Sequence, residues 1–174
     1  EPNPETFRIV EKKFNKNKNV KILNFALGNI KSTKQFNLNL EPSSSSFNLI
    51  DYSSSYFKRK NKILNFFGFN TKNQSKNIKI ETLYDIFNEY KITNIDLLKI
   101  DTEGYEYKIL NGLSNINFSN IKIIYFEHHY DLMIMKNYKF DDINKLLLKN
   151  KFKLSAKFKM PFRKTFEYIY EKKK

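Results

Sequence analysis

At 174 residues the chain is long enough for one domain that buries roughly 70% of the surface its unfolded form exposes, and 17 Phe and 11 Tyr supply bulk for a core. The lack of cysteine excludes disulfides and thiolate metal sites and is compatible with a cytoplasmic location; no apolar run approaches the roughly 20 residues of a bilayer-spanning helix. A formal charge of +14 raises nucleic acid as a partner, but only Arg8, Arg59 and Arg163 offer the guanidinium fork, and the lysines are scattered, which favours a general basic surface.

In chain order, Glu1-Pro2-Asn3-Pro4 reads as a turn with proline suited to the first turn of a helix. Phe7, Val10 and Phe14 fall at helical spacing and predict an amphipathic helix over roughly 5–16. Residues 20–27 read as a strand ending at Gly28, and Phe36, Leu38 and Leu40 alternate as a second, half-exposed strand. Over 41–77 the pattern dissolves into serine runs around Lys58-Arg59-Lys60, an irregular insert or substrate lid. After it, 78–81 form a short strand, and 83–90 read as a helix.

The stretch IDLLKIDTEGYEYKIL over 95–110 is an apolar strand that ends on an acid and turns at once into a helix. Tyr105, Ile109, Leu110 and Leu113 share one helical face, and Gly112 lies where a helix commonly stops. Residues 121–126 form another apolar strand, closing on Glu127-His128-His129. Asp141 or Asp142 caps a helix that turns Ile143, Leu146 and Leu147 to the core. Phe152, Leu154, Ala156 and Phe158, then Phe166, Tyr168 and Tyr170, alternate as an antiparallel hairpin whose basic tip, 160–164, is solvated loop or a contact for an anionic substrate portion. The order implies an α/β fold with a mainly parallel sheet, helices on both faces and a C-terminal antiparallel hairpin.

Ligands in open α/β sheets bind beyond the carboxyl ends of strands, which puts Asp101, Glu103 and Glu106 at a crevice. Acids in a first helical turn also favour the positive end of its dipole; that explains Glu106 well, and explains a charged Asp101 ending an apolar strand less well. Lys99 interrupts the strand and either pairs with an acid or snorkels to solvent. His128 and His129 are the only histidines and point to opposite faces of a continuing strand, so one at most meets the crevice. His129 is the candidate proton acceptor, with Glu127 to orient it. A divalent cation on these acids and histidines lacks any His-x-x-x-His spacing, and no metal is expected.

These motifs resemble the FkbM family of S-adenosylmethionine-dependent methyltransferases. Glu1-Pro2-Asn3-Pro4-Glu5-Thr6-Phe7 is similar to the family's acidic turn after its second strand, Asn24-Phe25-Ala26-Leu27-Gly28 to the segment closing the third, and Ile80-Glu81-Thr82-Leu83-Tyr84-Asp85 to the stretch before the fourth. Leu97-Leu98-Lys99-Ile100-Asp101-Thr102-Glu103-Gly104-Tyr105-Glu106 resembles its most specific signature. The resemblance implies a single, partial methyltransferase domain over 1–174, class I and Rossmann-like, with sheet order 3-2-1-4-5-7-6. It implies S-adenosyl-L-methionine held by Glu1, Asn24, Ala26, Leu27 and Asp101, with catalysis by Asp101, Glu103 and His129. Glu1 would accept both ribose hydroxyls, as an acceptor-only carboxylate can. The family's first strand and glycine-rich loop would precede Glu1, and the middle of the sheet is expected to be missing without them. The implied reaction is O-methylation of a sugar or other small-molecule hydroxyl. An RNA-modifying or RNA-binding protein of the same fold, and a catalytically silent fragment, are the alternatives.

Overall fold

The structure, a computed structural model, describes residues 1–38, 74–130, 135–161 and 163–173, together with Phe47, Lys58 and Lys62. Helix α1 (Pro4–Phe14) starts where Asn3, itself buried, accepts the Glu5 backbone N–H, and proline occupies the first helical position. Strand β1 (Ala26–Gly28) follows, then β2 (Ser32–Leu38), β3 (Gln74–Thr82) and α2 (Leu83–Glu89). Thr82 caps α2, accepting the Asp85 N–H at 3.1 Å while its hydroxyl donates to the Asp85 carboxylate. That reciprocal cap accounts for the Thr-Leu-Tyr-Asp spacing. The second half comprises β4 (Ile95–Ile100), α3 (Glu106–Asn111), α4 (Asn115–Ser119), β5 (Ile121–His129), α5 (Phe140–Lys149), β6 (Phe152–Lys159) and β7 (Thr165–Lys172).

The strands form two sheets. One has the order β1-β3-β2, the other β4-β5-β7-β6. β1 runs parallel to β3 and β4 parallel to β5, while β2–β3, β5–β7 and β6–β7 are antiparallel. The fold is α/β, and the mainly parallel arrangement is met only in part: three of the five described pairings are antiparallel. Among the described residues no strand bridges β4 to the first sheet, the division expected where the middle strand is missing. β4 accordingly lies at an edge, and Leu97, expected in a buried strand, is 54% exposed.

The core lies between the larger sheet and its helices. Phe126 stacks with Tyr168 and Tyr170 at centroid separations of 5.4 and 5.9 Å, and Ile124, Ile143, Leu147 and Phe152 are fully buried around them. Each such side chain contributes about 1.5–3 kcal/mol relative to exposure. α5 starts at Phe140, two or three residues earlier than a cap at Asp141 or Asp142 would place it. Lys139 precedes the helix and its N–H is taken by Asp142 at 2.8 Å, so Asp142 caps from inside the first turn.

Other boundaries shift for local reasons. Of residues 20–27, only Ala26 onward joins a sheet, since only β3 lies alongside to pair with it. β3 begins at Gln74, so the end of the 41–77 segment is regular strand; the lid reading for the remainder falls mostly outside the described residues. Gly112 closes α3 with an ordinary negative φ of −81° and not the left-handed one a glycine cap supplies. Its requirement is space: a Cβ there would stand 2.3 Å from the Gly28 carbonyl oxygen. That close approach packs α3 against β1.

Candidate active site

The chain leaves β4 at Asp101 and reaches α3 at Glu106 through five residues that carry most of the site. Glu103 and Gly104 both adopt left-handed backbone, with φ of 49° and 90°. For Glu103 that costs on the order of 1 kcal/mol, which surrounding contacts must offset. Glu106 supplies them. Its carboxylate, fully buried, accepts the Gly104 N–H at 2.9 Å, the Thr102 hydroxyl at 3.2 Å and the Tyr138 hydroxyl at 2.5 Å. Glu106 thus faces inward and holds the loop, a stronger reason for its presence than the helix dipole. Burial, then the adjoining Glu106, raises the Tyr138 hydroxyl far above its ordinary range.

With the loop pinned this way, Asp101, Thr102 and Glu103 turn toward a cavity of about 750 Å³, a volume typical of small-molecule sites. Glu127, at the carboxyl end of β5, lines the same cavity, as do Tyr105, Ile109 and Arg163 of the β6–β7 hairpin tip. The opposite wall comes from Glu1, Pro2, Val10 and the run Lys21, Ile22, Leu23, Phe25, Ala26 and Leu27. Four carboxylates and two basic residues therefore share one space. Glu1 uses Oε1 to accept the Asn3 N–H at 2.8 Å; its second oxygen is engaged by no described residue. Asn24 is exposed and off the cavity wall. Its amide donates to the carbonyls of Glu1 and Pro2 at 3.0 and 3.5 Å, which ties the acidic turn to the segment entering β1.

Lys99 is half exposed, 3.6 Å from Asp101 and 5.1 Å from the Tyr125 ring centroid, so it pairs with the acid instead of burying its charge. The two histidines do face opposite ways. His128 is buried among Tyr130, Tyr138 and Phe140, and that burial pushes its imidazole down to about 3, so it is a neutral packing group. His129 is buried and does not line the cavity. Its Nε2 is 3.3 Å from Glu103 Oε2 and 3.4 Å from Glu127 Oε1, and Nδ1 is 3.1 Å from the hydroxyl of buried Thr165. Burial first, and then Asp101 and Glu103, raise Glu127 to about 7 against an opposing pull from His129. Among the described residues, no group of three or more acids and histidines has the geometry of a metal site.

Sequence patterns indicated Asp101, Glu103 and Glu1 but missed two members. Glu127 was assigned to the support of His129, although alternation along β5 puts Tyr125, Glu127 and His129 on one face and so allows either to be foremost. Thr165 carried no signal, since its position depends on the β5–β7 register that sets it opposite His129.

Acids at strand ends converge on one cavity, in the position where open α/β sheets bind ligands. The profile of the methyltransferase FkbM domain matches residues 1–154, the greater part of the chain. The chain belongs to the FkbM methyltransferase family. Comparison with curated proteins and with solved structures finds no match. No helix among the described residues is long and apolar enough to cross a membrane.

Proposed function

We propose that the protein transfers the methyl group of S-adenosyl-L-methionine to a hydroxyl of a small-molecule or glycan acceptor, with a sugar as the favoured class. The observation that carries this reading is that Glu1 and Asp101, from motifs 100 residues apart in sequence, line one cavity. The family supports methyl transfer, and the order β4-β5-β7-β6 supports a class I arrangement for this half of the fold.

The chemistry of the wall suits this cofactor. It offers a carboxylate with an oxygen to spare at Glu1, an apolar stretch including Ala26 and Leu27, and an excess of negative charge toward a cationic sulfonium. Glu1 would hold the ribose diol, Ala26 and Leu27 the flat nucleoside face, and Asn24 the turn that carries Glu1. Asp101 would meet the amino group at the strand tip. The bound cofactor supplies an electrophilic methyl carbon; what this chain must add is an oriented acceptor oxygen and a place for its proton. Glu103, Glu127 and His129 form the group for that task. The same excess of carboxylates disfavours a polyanion such as RNA in the cavity, and a cysteine-free chain accords with a cytoplasmic setting.

Calorimetric titration with S-adenosyl-L-methionine tests the assignment. Glu1→Ala is expected to weaken binding by about 10-fold or more, the worth of a charge-assisted hydrogen bond, and Asp101→Ala to weaken it as well. Unchanged affinity in both variants would remove the cofactor site from this cavity.

A further inference from the structure

We propose that Glu127 is the proton acceptor of the transfer and that His129, behind it, is a positioning residue. The inference rests on the hydroxyl-acceptor reading above and reverses the roles the sequence order suggests. Of the three β5 side chains on this face, Glu127 is on the cavity wall and His129 is not. A hydroxyl in the cavity therefore meets the carboxylate first, with the 6%-exposed imidazole on the far side.

The chain of groups behind Glu127 is built to hold it. Glu103 and Glu127 stand 3.3 and 3.4 Å from Nε2, and Nδ1 meets the Thr165 hydroxyl, directly opposite in the β5–β7 register, which fixes the ring behind Glu127. The charged and titratable groups around Glu127 are His129 on its own strand, Asp101 and Glu103 on the β4–α3 loop, Glu167 opposite on β7, Tyr125, and Arg163 on the cavity wall. As the acceptor oxygen bonds to the methyl carbon, its proton passes to a Glu127 oxygen. The electron pair of the broken carbon–sulfur bond stays on sulfur, so an anionic carboxylate and a sulfonium become a neutral acid and a thioether. A carboxylate raised to about 7 by its surroundings is suited to this role at neutral pH.

The test labels glutamate with ¹³C at the side-chain carboxyl and follows each resonance from acid to mildly alkaline pH. One resonance should titrate near neutrality, vanish in Glu127→Gln, and move its midpoint upward in His129→Gln, because the pull of the His129 ring that holds the midpoint down is gone. A wild type whose glutamates all titrate in the acid range, or a neutral-range resonance that survives Glu127→Gln, overturns the proposal. A midpoint indifferent to His129→Gln overturns the positioning role, which a merely structural contact would not reproduce. Methyl transfer from radiolabelled S-adenosyl-L-methionine to pooled free hexoses should fall about 100-fold or more in Glu127→Gln; an unchanged rate also overturns the proposal. Calorimetry on the same samples separates the two levels of inference. A wild type that fails to bind S-adenosyl-L-methionine removes the methyltransferase reading, whereas binding without a neutral-range carboxyl removes Glu127 alone.

Discussion

Glu127→Gln should change how stability responds to pH, in a direction the cavity dictates. The folded protein keeps the Glu127 proton up to about pH 7, while the unfolded chain releases it near the ordinary value of 4.5. Between those limits the folded state binds more protons, so Glu127 makes the fold less stable as pH rises through the window. The displacement corresponds to a ceiling of about 3 kcal/mol. Its side chain is 12% exposed on an open cavity, and solvent screening brings the figure nearer 2 kcal/mol. Glutamine keeps the shape and removes the titration. Urea unfolding followed by tyrosine fluorescence, with wild type and variant at mildly acid and mildly alkaline pH, isolates the effect because other carboxylates cancel in the difference. The variant should gain about 2 kcal/mol over wild type at the alkaline end and little at the acid end. Parallel pH profiles for the two proteins, or a variant less stable at the alkaline end, would refute the argument.

Three further outcomes follow from the same loop and its neighbours. Glu106→Ala deprives three donors, two of them buried, of their acceptor and should cost about 3–5 kcal/mol in denaturant unfolding. Gly112→Ala drives a methyl group against the Gly28 carbonyl and should cost about 3 kcal/mol, read as a fall in melting temperature, since backbone on both sides leaves little room to yield. Glu103→Gly relieves the left-handed strain and should stabilise the fold by about 1 kcal/mol while lowering the Glu127 midpoint, read by the same ¹³C titration, because a repelling carboxylate has been removed.

Much of this was legible in the sequence because it depends on short-range pattern. The strand-to-acid step at Ile100-Asp101, the capped helix after Thr82 and the alternating hairpin all follow from neighbours within a few residues. What was not legible depends on distant partners. β4 reads as a buried strand from its apolar run, yet Leu97 is exposed, because among the described residues β4 is paired along one edge only, with β5. Gly112 reads as a conformational glycine, yet its constraint is a carbonyl 84 residues earlier. Glu127 and His129 share a face on alternation alone; that Glu127 and not His129 lines the cavity depends on distant parts of the chain that form its other walls.

The acids of Asp101-Thr102-Glu103-Gly104-Tyr105-Glu106 are therefore not equivalent, and their division of labour explains why three sit so close together. An acid that is to act on a ligand must face the cavity, where solvent and substrate reach it. The backbone that aims Glu103 there is intrinsically unfavourable, so something must restrain it. A neutral side chain at Glu106 could not take the Tyr138 hydroxyl, the Thr102 hydroxyl and the Gly104 N–H with the strength of a carboxylate. The buried charge is stabilised by three donors and fixes the turn; the turn presents Asp101 and Glu103; and these, with burial, hold Glu127 in the protonation range in which a carboxylate can accept a proton at neutral pH.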